Sequence, residues 1–157
     1  MTQKLSVLEL SALSQVQFAA LRTLQVTERQ SVLGKSFLES IDDWENRQKG
    51  QVLGLCFLLD AAPVGMVLFR KQPLEYAVSI HGLKIALPWQ GRGLGHVAFR
   101  LAVEHLKTQW GDAKVLKLSV DAVNAPAIAI YRGFGMRDSG PVFDGPNGKE
   151  HRMVLQL

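Results

Sequence analysis

An internal disulfide is impossible in this chain of 157 residues, because it holds a single cysteine, Cys56. That cysteine stands inside the longest apolar run, Val52 to Leu59, and reads as a small buried hydrophobe. The run is far shorter than the ~20 residues that cross a bilayer as a helix. The first residues also lack the basic, apolar, small-residue succession of a secretory signal. These absences lead to the expectation of a soluble cytoplasmic protein with no membrane partner. Lys and Arg never occur four in a row, and the net charge of +4 is spread along the chain. The dense basic stripe with exposed aromatics that marks a nucleic-acid binder is missing, so no nucleic-acid partner is expected. The mild positive charge still suits the steering of an anionic cofactor. Internal repeats, low-complexity stretches and Pro/Gly/Ser-rich linkers are absent too. With a hydrophobic fraction of 47%, the chain can bury one good core, and 1–157 is expected to form a single domain.

What is present is a regular succession of elements. Lys4 to Leu10 alternates as a strand should. Ser11 to Ser14 offers N-cap residues for a helix with Val16, Ala19, Ala20 and Leu24 on one face. Ser36 with Glu39 forms a capping box for a second helix, along which Phe37, Ile41 and Trp44 recur, and Gly50 supplies a stop. Leu53–Leu59 and Val64–Phe69 read as a hairpin around Asp60-Ala61-Ala62-Pro63. Val78–Leu87 is a further strand, interrupted by Gly82, and a helix then runs from the following glycine-rich loop to about Trp110. Val115–Val123 alternates as a strand. Asn124-Ala125-Pro126 opens a short helix that Gly133 is expected to end. Ser139–Phe143 and His151–Leu157 read as two strands joined by a turn at Asp144–Gly148. The order β-α-α-β-β-β-α-β-α-β-β predicts an α/β protein, a mixed sheet with helices on both faces, because helices separate only some of the strands.

Three segments carry chemistry. In Gln90-Gly91-Arg92-Gly93-Leu94-Gly95, glycines at alternate positions remove the Cβ atoms that would hold a ligand away from the main chain. The helix that follows presents N–H groups with no internal partner. A strand, a glycine loop and a helix in that order form a cradle for phosphate oxygens, or else a tight strand-to-helix turn. The loop is no P-loop, since His96-Val97 stands where Lys-Ser/Thr is required, and no dinucleotide fingerprint, since His96 occupies the place of the third glycine. Gly82, inside a strand, marks a bulge, a close backbone approach or a packing need for a small residue. Asn124 and Tyr131 lie seven residues apart, on one side of a helix and two turns from each other. Without further context, they read as an N-cap and a half-buried tyrosine.

The loop spacing Gln-x-x-Gly-x-Gly resembles the pyrophosphate-binding motif of the GNAT superfamily, the acyl-CoA-dependent N-acetyltransferases. The segment Asn124 to Met136 resembles a second pattern of that family, Asn-x-x-Ala-x-x-Leu/Ile-Tyr-x-x-x-Gly-Phe. Tyr131, Phe134 and Gly135 fit it, Ala127 and Ile130 fill its apolar slots, and Gly133 comes one position early. The element order is that of the GNAT fold, a three-layer α/β/α arrangement. The chain departs from the family before the loop, where Ile85-Ala86-Leu87-Pro88-Trp89-Gln90 carries its proline one place late.

The resemblance implies acetyl-CoA as acyl donor, no metal, and direct attack of a neutral amine on the thioester. It assigns main-chain groups of Leu83, Lys84 and Ile85 to the pantetheine arm. The residues Gln90, Gly91, Arg92, Gly93, Leu94, Gly95 and His96 go to the pyrophosphate, and Asn124 to orientation of the arm. It makes Tyr131 the proton donor to the departing sulfur. At the position where the family often has Glu or Asp stands His81, whose unperturbed pKa of ~6.5 suits a base; it could equally anchor a water chain or be structural. Glu75 and Tyr76 are weaker candidates. The acceptor would meet the helix bearing Glu39, Asp42, Asp43 and Trp44, where acidic groups beside an aromatic suit a polyamine or diamine. A looser whole-length resemblance to bacterial polyamine and diamine acetyltransferases points the same way. Modification of a protein or amino acid, and non-catalytic acyl-CoA sensing, stay open as alternatives. The resemblance also implies homodimers, for which no segment supplies an interface.

Overall fold

A computed structural model describes residues 4–28, 30, 34–48, 50–72 and 76–157. Its elements are β1 (Leu5–Glu9), α1 (Gln15–Arg22), α2 (Phe37–Glu45), β2 (Val52–Leu59), β3 (Ala62–Gln72), β4 (Ala77–Ile85), α3 (Leu94–Gln109), β5 (Val115–Asp121), α4 (Ala125–Phe134), β6 (Arg137–Asp138), β7 (Phe143–Gly145) and β8 (Gly148–Gln156). The strands form one sheet in the order β1-β2-β3-β4-β5-β8-β6, with β7 also paired to β8. Of these pairings only β4–β5 is parallel. The mixed sheet expected from the sequence is the one found.

Strand periodicity divides the core between the two faces. Leu53, Leu55, Phe57 and Leu59 of β2 point to the face covered by α3 and α4, where they meet Phe99, Val103, Leu106, Ile128 and Tyr131. Cys56 and Leu58 point the other way, toward Leu21 of α1 and Phe37 and Ile41 of α2. Full burial of side chains such as Phe37, Ile41, Phe57 and Phe99 contributes about 1.5–3 kcal/mol each. Cys56 is completely buried, and burial pushes its thiol up to about 12, so it serves as a hydrophobe.

Local chemistry sets the element ends. Ser14 and Ser36 both make reciprocal capping boxes, with Gln17 and Glu39. The turn between β2 and β3 is the two-residue Asp60-Ala61, both with positive φ (47° and 68°). That geometry matches the twist of a hairpin. Ala62 and Pro63 therefore belong to β3, and the register shifts between Phe57 and Leu58, where Pro63 faces Leu58; a bulge is where a strand tolerates a residue without an N–H.

Three expectations are corrected. The buried face of α1 is Leu21, with Phe18 and Leu24 packed beside it, whereas Val16 is 80% exposed. The bulkier side chains bury more apolar area and decide which stripe faces the sheet. Gly133 lies inside α4, and the helix ends at Gly135, whose φ of 113° permits a left-handed cap. There Gly135 N–H donates to Arg132 C=O and Met136 N–H to Tyr131 C=O, the paired bonds of a Schellman motif. Ser139–Phe143 is not one strand: Gly140 has φ 95° and Pro141 lacks an N–H. Pairing to β8 is split between β6, before this break, and β7, after it.

Candidate active site

Two features of β4 open the sheet. Its parallel pairing with β5 covers only Ala77–Ser79 against Val115–Lys117. Beyond that point β4 holds one residue more than its other neighbour, since Leu68 faces His81 and Met66 faces Lys84. Gly82 takes up the bulge with φ 65°. A Cβ there would lie 2.9 Å from both Lys84 Nζ and Ser40 Oγ, so the bulge favours a glycine. A bulge bends its strand and raises the local twist, which carries the end of β4 away from β5.

On one side of this opening lies a cleft of about 570 Å³. It brings together Gly82, Leu83, Lys84 and Ile85 of β4, the loop residues Gln90, Gly91 and Gly93, the first turn of α3 (Leu94, Gly95, His96), and Asn124 and Tyr131 at α4. Every cofactor-binding residue expected from the sequence lines it except Arg92, which is exposed. Gly91 and Gly93 have φ of 76° and 75°, and a Cβ on either would meet no atom within 4 Å. Gly93 is the N-cap of α3 and no side chain caps the helix, so the N–H groups of its first turn remain for a ligand. Gly95 has a different duty. A Cβ there would come 2.7 Å from Ile130 Cδ1, so it lets α3 and α4 approach. Gln90 braces the loop, donating from Nε2 to Ile85 C=O (2.8 Å) and to Gln30 Oε1 (2.9 Å).

Tyr131 packs edge-on against Phe99 at 5.4 Å between ring centres, and burial pushes its phenol up to about 12. Asn124 accepts from Ala127 N–H at 3.4 Å and thus caps α4 while lining the cleft. The Lys84 side chain leaves the cleft for the opposite face. Its Nζ donates to Ser40 Oγ (2.6 Å) and Gly82 C=O (2.9 Å), and burial, then Lys35, lowers the ammonium to about 7.

His81 is not in this cleft. It lines a second cavity, of about 580 Å³, on the other face of β4. Its Nε2 lies 2.8 Å from Ser79 Oγ. Burial, and next the positive charge of Arg70, lower the imidazole to about 4, so it is neutral at pH 7. His81 and Gly82, adjacent in sequence, thus open onto different cavities at the bulge.

The acidic residues of α2 line neither cavity. Asp43 is held by Arg47 (2.8 Å) and Lys35 (3.4 Å). Glu39 accepts from Ser36 N–H within its capping box, Asp42 is exposed, and Trp44 packs on Phe18 within the second core cluster. Tyr76 is 59% exposed with Lys114 Nζ over its ring, and Glu75 lies outside the described residues. Sequence reasoning missed Gln30, Lys35, Trp89 and Pro126 in the cleft, and most of the second cavity.

The family model described as the acetyltransferase (GNAT) family matches residues 18–136, and the chain belongs to that family. Over 61 residues it is 39% identical to a protein of Bacillus subtilis (strain 168) provisionally named a ribosomal protein bS18-alanine N-acetyltransferase. That match spans 39% of this chain and 39% of the relative. Among solved structures, the spermidine N-acetyltransferase of Vibrio cholerae in complex with CoA and spermine superposes with a TM-score of 0.77 at 15% identity, covering 97% of this chain and 95% of that one. The aminoglycoside acetyltransferase AAC(6′)-Ib in complex with coenzyme A does so with 0.74 at 15% identity, covering 98% and 95%. At such identities these likenesses concern the fold.

Proposed function

We propose that the chain, as one domain over 1–157, transfers the acetyl group of acetyl-CoA to a primary amine by direct attack on the thioester. The observation that carries this reading is the cleft itself. It joins an unpaired stretch of strand edge, a glycine loop with room above it, an uncapped helix N-terminus and a buried tyrosine. The fit to the cofactor is physical: open space over two left-handed glycines and free N–H groups suit a pyrophosphate, and the edge of β4 suits an amide-bearing arm. Acetyl-CoA supplies the activated acetyl group, held by Leu83–Ile85, Gln90–Gly95 and Asn124.

The protein's own groups handle protons. Tyr131, protonated far above neutral pH, donates a hydrogen bond to a developing thiolate. His81 is too weak a base, at about 4, to keep a proton from an amine of pKa ~10.4. With Ser79, whose Oγ lies 2.8 Å from its Nε2, it relays the proton through the second cavity to bulk water. The polyamine or diamine reading has the fold of the spermidine acetyltransferase in its favour. The reading as an amino-acid or protein acetyltransferase is favoured by the charge of the second cavity, which is basic.

Tyr131→Phe tests the proposal, with thiol release as readout over a panel of primary amines. Turnover should fall about 10²–10⁴-fold, the range for a positioned proton donor, while acetyl-CoA affinity stays within threefold. Full turnover in the variant would remove Tyr131 from the mechanism. A wild-type protein that binds acetyl-CoA but acetylates no amine would be a sensor.

A further inference from the structure

The second cavity is walled by the sheet itself, on the face away from α3 and α4. Its residues stand in rows across neighbouring strands: Arg70 faces Ser79, Ser79 faces Lys117, and Ser119 faces Arg152. Neighbouring strands lie about 4.8 Å apart, so these side chains converge on one space, with His81 one position further along β4. Arg70, Lys117 and Arg152 bring three cations to the lining, Ser79, Ser119 and Ser139 bring hydroxyls, and no lining residue is acidic. The Arg152 guanidinium lies over an aromatic face, 4.4 Å from the ring centre of Phe143, whereas Lys71 turns its Nζ to the Trp110 ring on the α3 side of the sheet. Such contacts orient a cation without cancelling its charge. The carboxylate whose charge reaches His81, Asp43, is already shared between Lys35 and Arg47.

Resting on the amine acetylation proposed above, we propose that this cavity is the acceptor subsite and that the acceptor is a small primary amine carrying an anionic group, a carboxylate or a phosphate. Arginine and lysine with serine hydroxyls are the donor set that recognises such oxygens. The anion, drawn by Arg70 and Arg152 to the hydroxyl of Ser79, places the amine toward the bulge at His81–Gly82, where the cavity and the cofactor cleft come nearest in the chain. A second ammonium on the acceptor would meet like charge instead.

The test uses the full chain, acetyl-CoA and four small primary amines that differ in the charge of their second group: 4-aminobutyrate, O-phosphoethanolamine, ethanolamine and 1,3-diaminopropane. At 50 mM salt, kcat/KM for one of the two anionic amines should exceed that for ethanolamine at least tenfold, and the diamine should be the poorest. Which anion leads distinguishes carboxylate from phosphate. In Arg70→Gln the anionic-to-neutral ratio should drop at least tenfold. Arg152→Gln, at an exposed position, should lower it in the same sense if the first variant folds poorly. Equal or better use of the diamine overturns the proposal. If no amine is acetylated, titration of O-phosphoethanolamine and 4-aminobutyrate by NMR separates the two ideas. Binding that Arg70→Gln weakens keeps the anion subsite while amine acetylation falls, and no binding overturns the subsite as well.

Discussion

Replacing Gly82 by alanine probes the bulge beside which both cavities open. At φ 65° a residue with a Cβ loses about 1–2 kcal/mol relative to glycine. The new Cβ would stand 2.9 Å from Lys84 Nζ and from Ser40 Oγ, closer than carbon tolerates. The ammonium, at the end of a flexible chain, is the group that gives way. Its move breaks the 2.6 Å bond to Ser40, and a hydrogen bond of a charged group contributes about 1.5–3 kcal/mol. Together the losses come to about 2.5–5 kcal/mol, a large share of the ~5–15 kcal/mol by which a domain is stable. Lys84→Met removes the ammonium and leaves the backbone strain alone. In that background Gly82→Ala should therefore cost only about 1–2 kcal/mol, which leaves a coupling energy of about 1.5–3 kcal/mol. Urea unfolding of the four proteins, followed by far-UV circular dichroism with a common slope, measures all three quantities. A coupling below about 0.5 kcal/mol, the range of independent sites, would refute the contact between bulge and ammonium.

Beside the Tyr131 variant and the four amines, two further outcomes are expected. His81 has a folded value of about 4 against an ordinary 6.5, so the unfolded chain binds the proton more readily. Its contribution to stability is complete above pH 6.5 and is lost as the pH falls toward 4; His81→Gln should flatten the stability profile in that window, and an unchanged profile would argue against a buried neutral imidazole. Gly93→Ala strains the backbone by about 1–2 kcal/mol and puts a methyl over the uncapped helix end. Calorimetric titration should show acetyl-CoA affinity reduced at least fivefold, and unaltered affinity would remove the loop from the cofactor site.

The parts of the site that could be read from the sequence are those whose geometry is local. Gly91 and Gly93 need positive φ whatever surrounds them, the Ser36–Glu39 box closes within one helical turn, and seven residues of helix put Asn124 and Tyr131 on one side. The basic cavity was hidden for the opposite reason. Arg70, Ser79, Lys117 and Arg152 come from β3, β4, β5 and β8, and only the register between strands makes them neighbours. A trace of it exists, since Lys117 and Ser119 alternate with the buried Leu116, Leu118 and Val120, but alternation cannot say what stands opposite. The surroundings of the acidic run on α2 were equally hidden, because neighbouring sequence does not show that Asp43 is shared by Arg47 and Lys35. The same limit applies to α1, where the 3.6-residue period admits two stripes and side-chain bulk chooses between them.

The short parallel contact between Ala77–Ser79 and Val115–Lys117 has a consequence for the chain as a whole. It joins two antiparallel ribbons, β1–β4 and β5–β8, like the spine of a book with two leaves. Each cavity takes walls from both leaves: the cleft from Gly82–Ile85 and from Asn124 and Tyr131, the basic cavity from Arg70, Ser79 and His81 and from Ser119 and Arg152. Neither half of the polypeptide carries both walls of either cavity. A cut in the connection at Gly111-Asp112 would therefore yield two fragments that are inert apart and whose activity reports their reassembly.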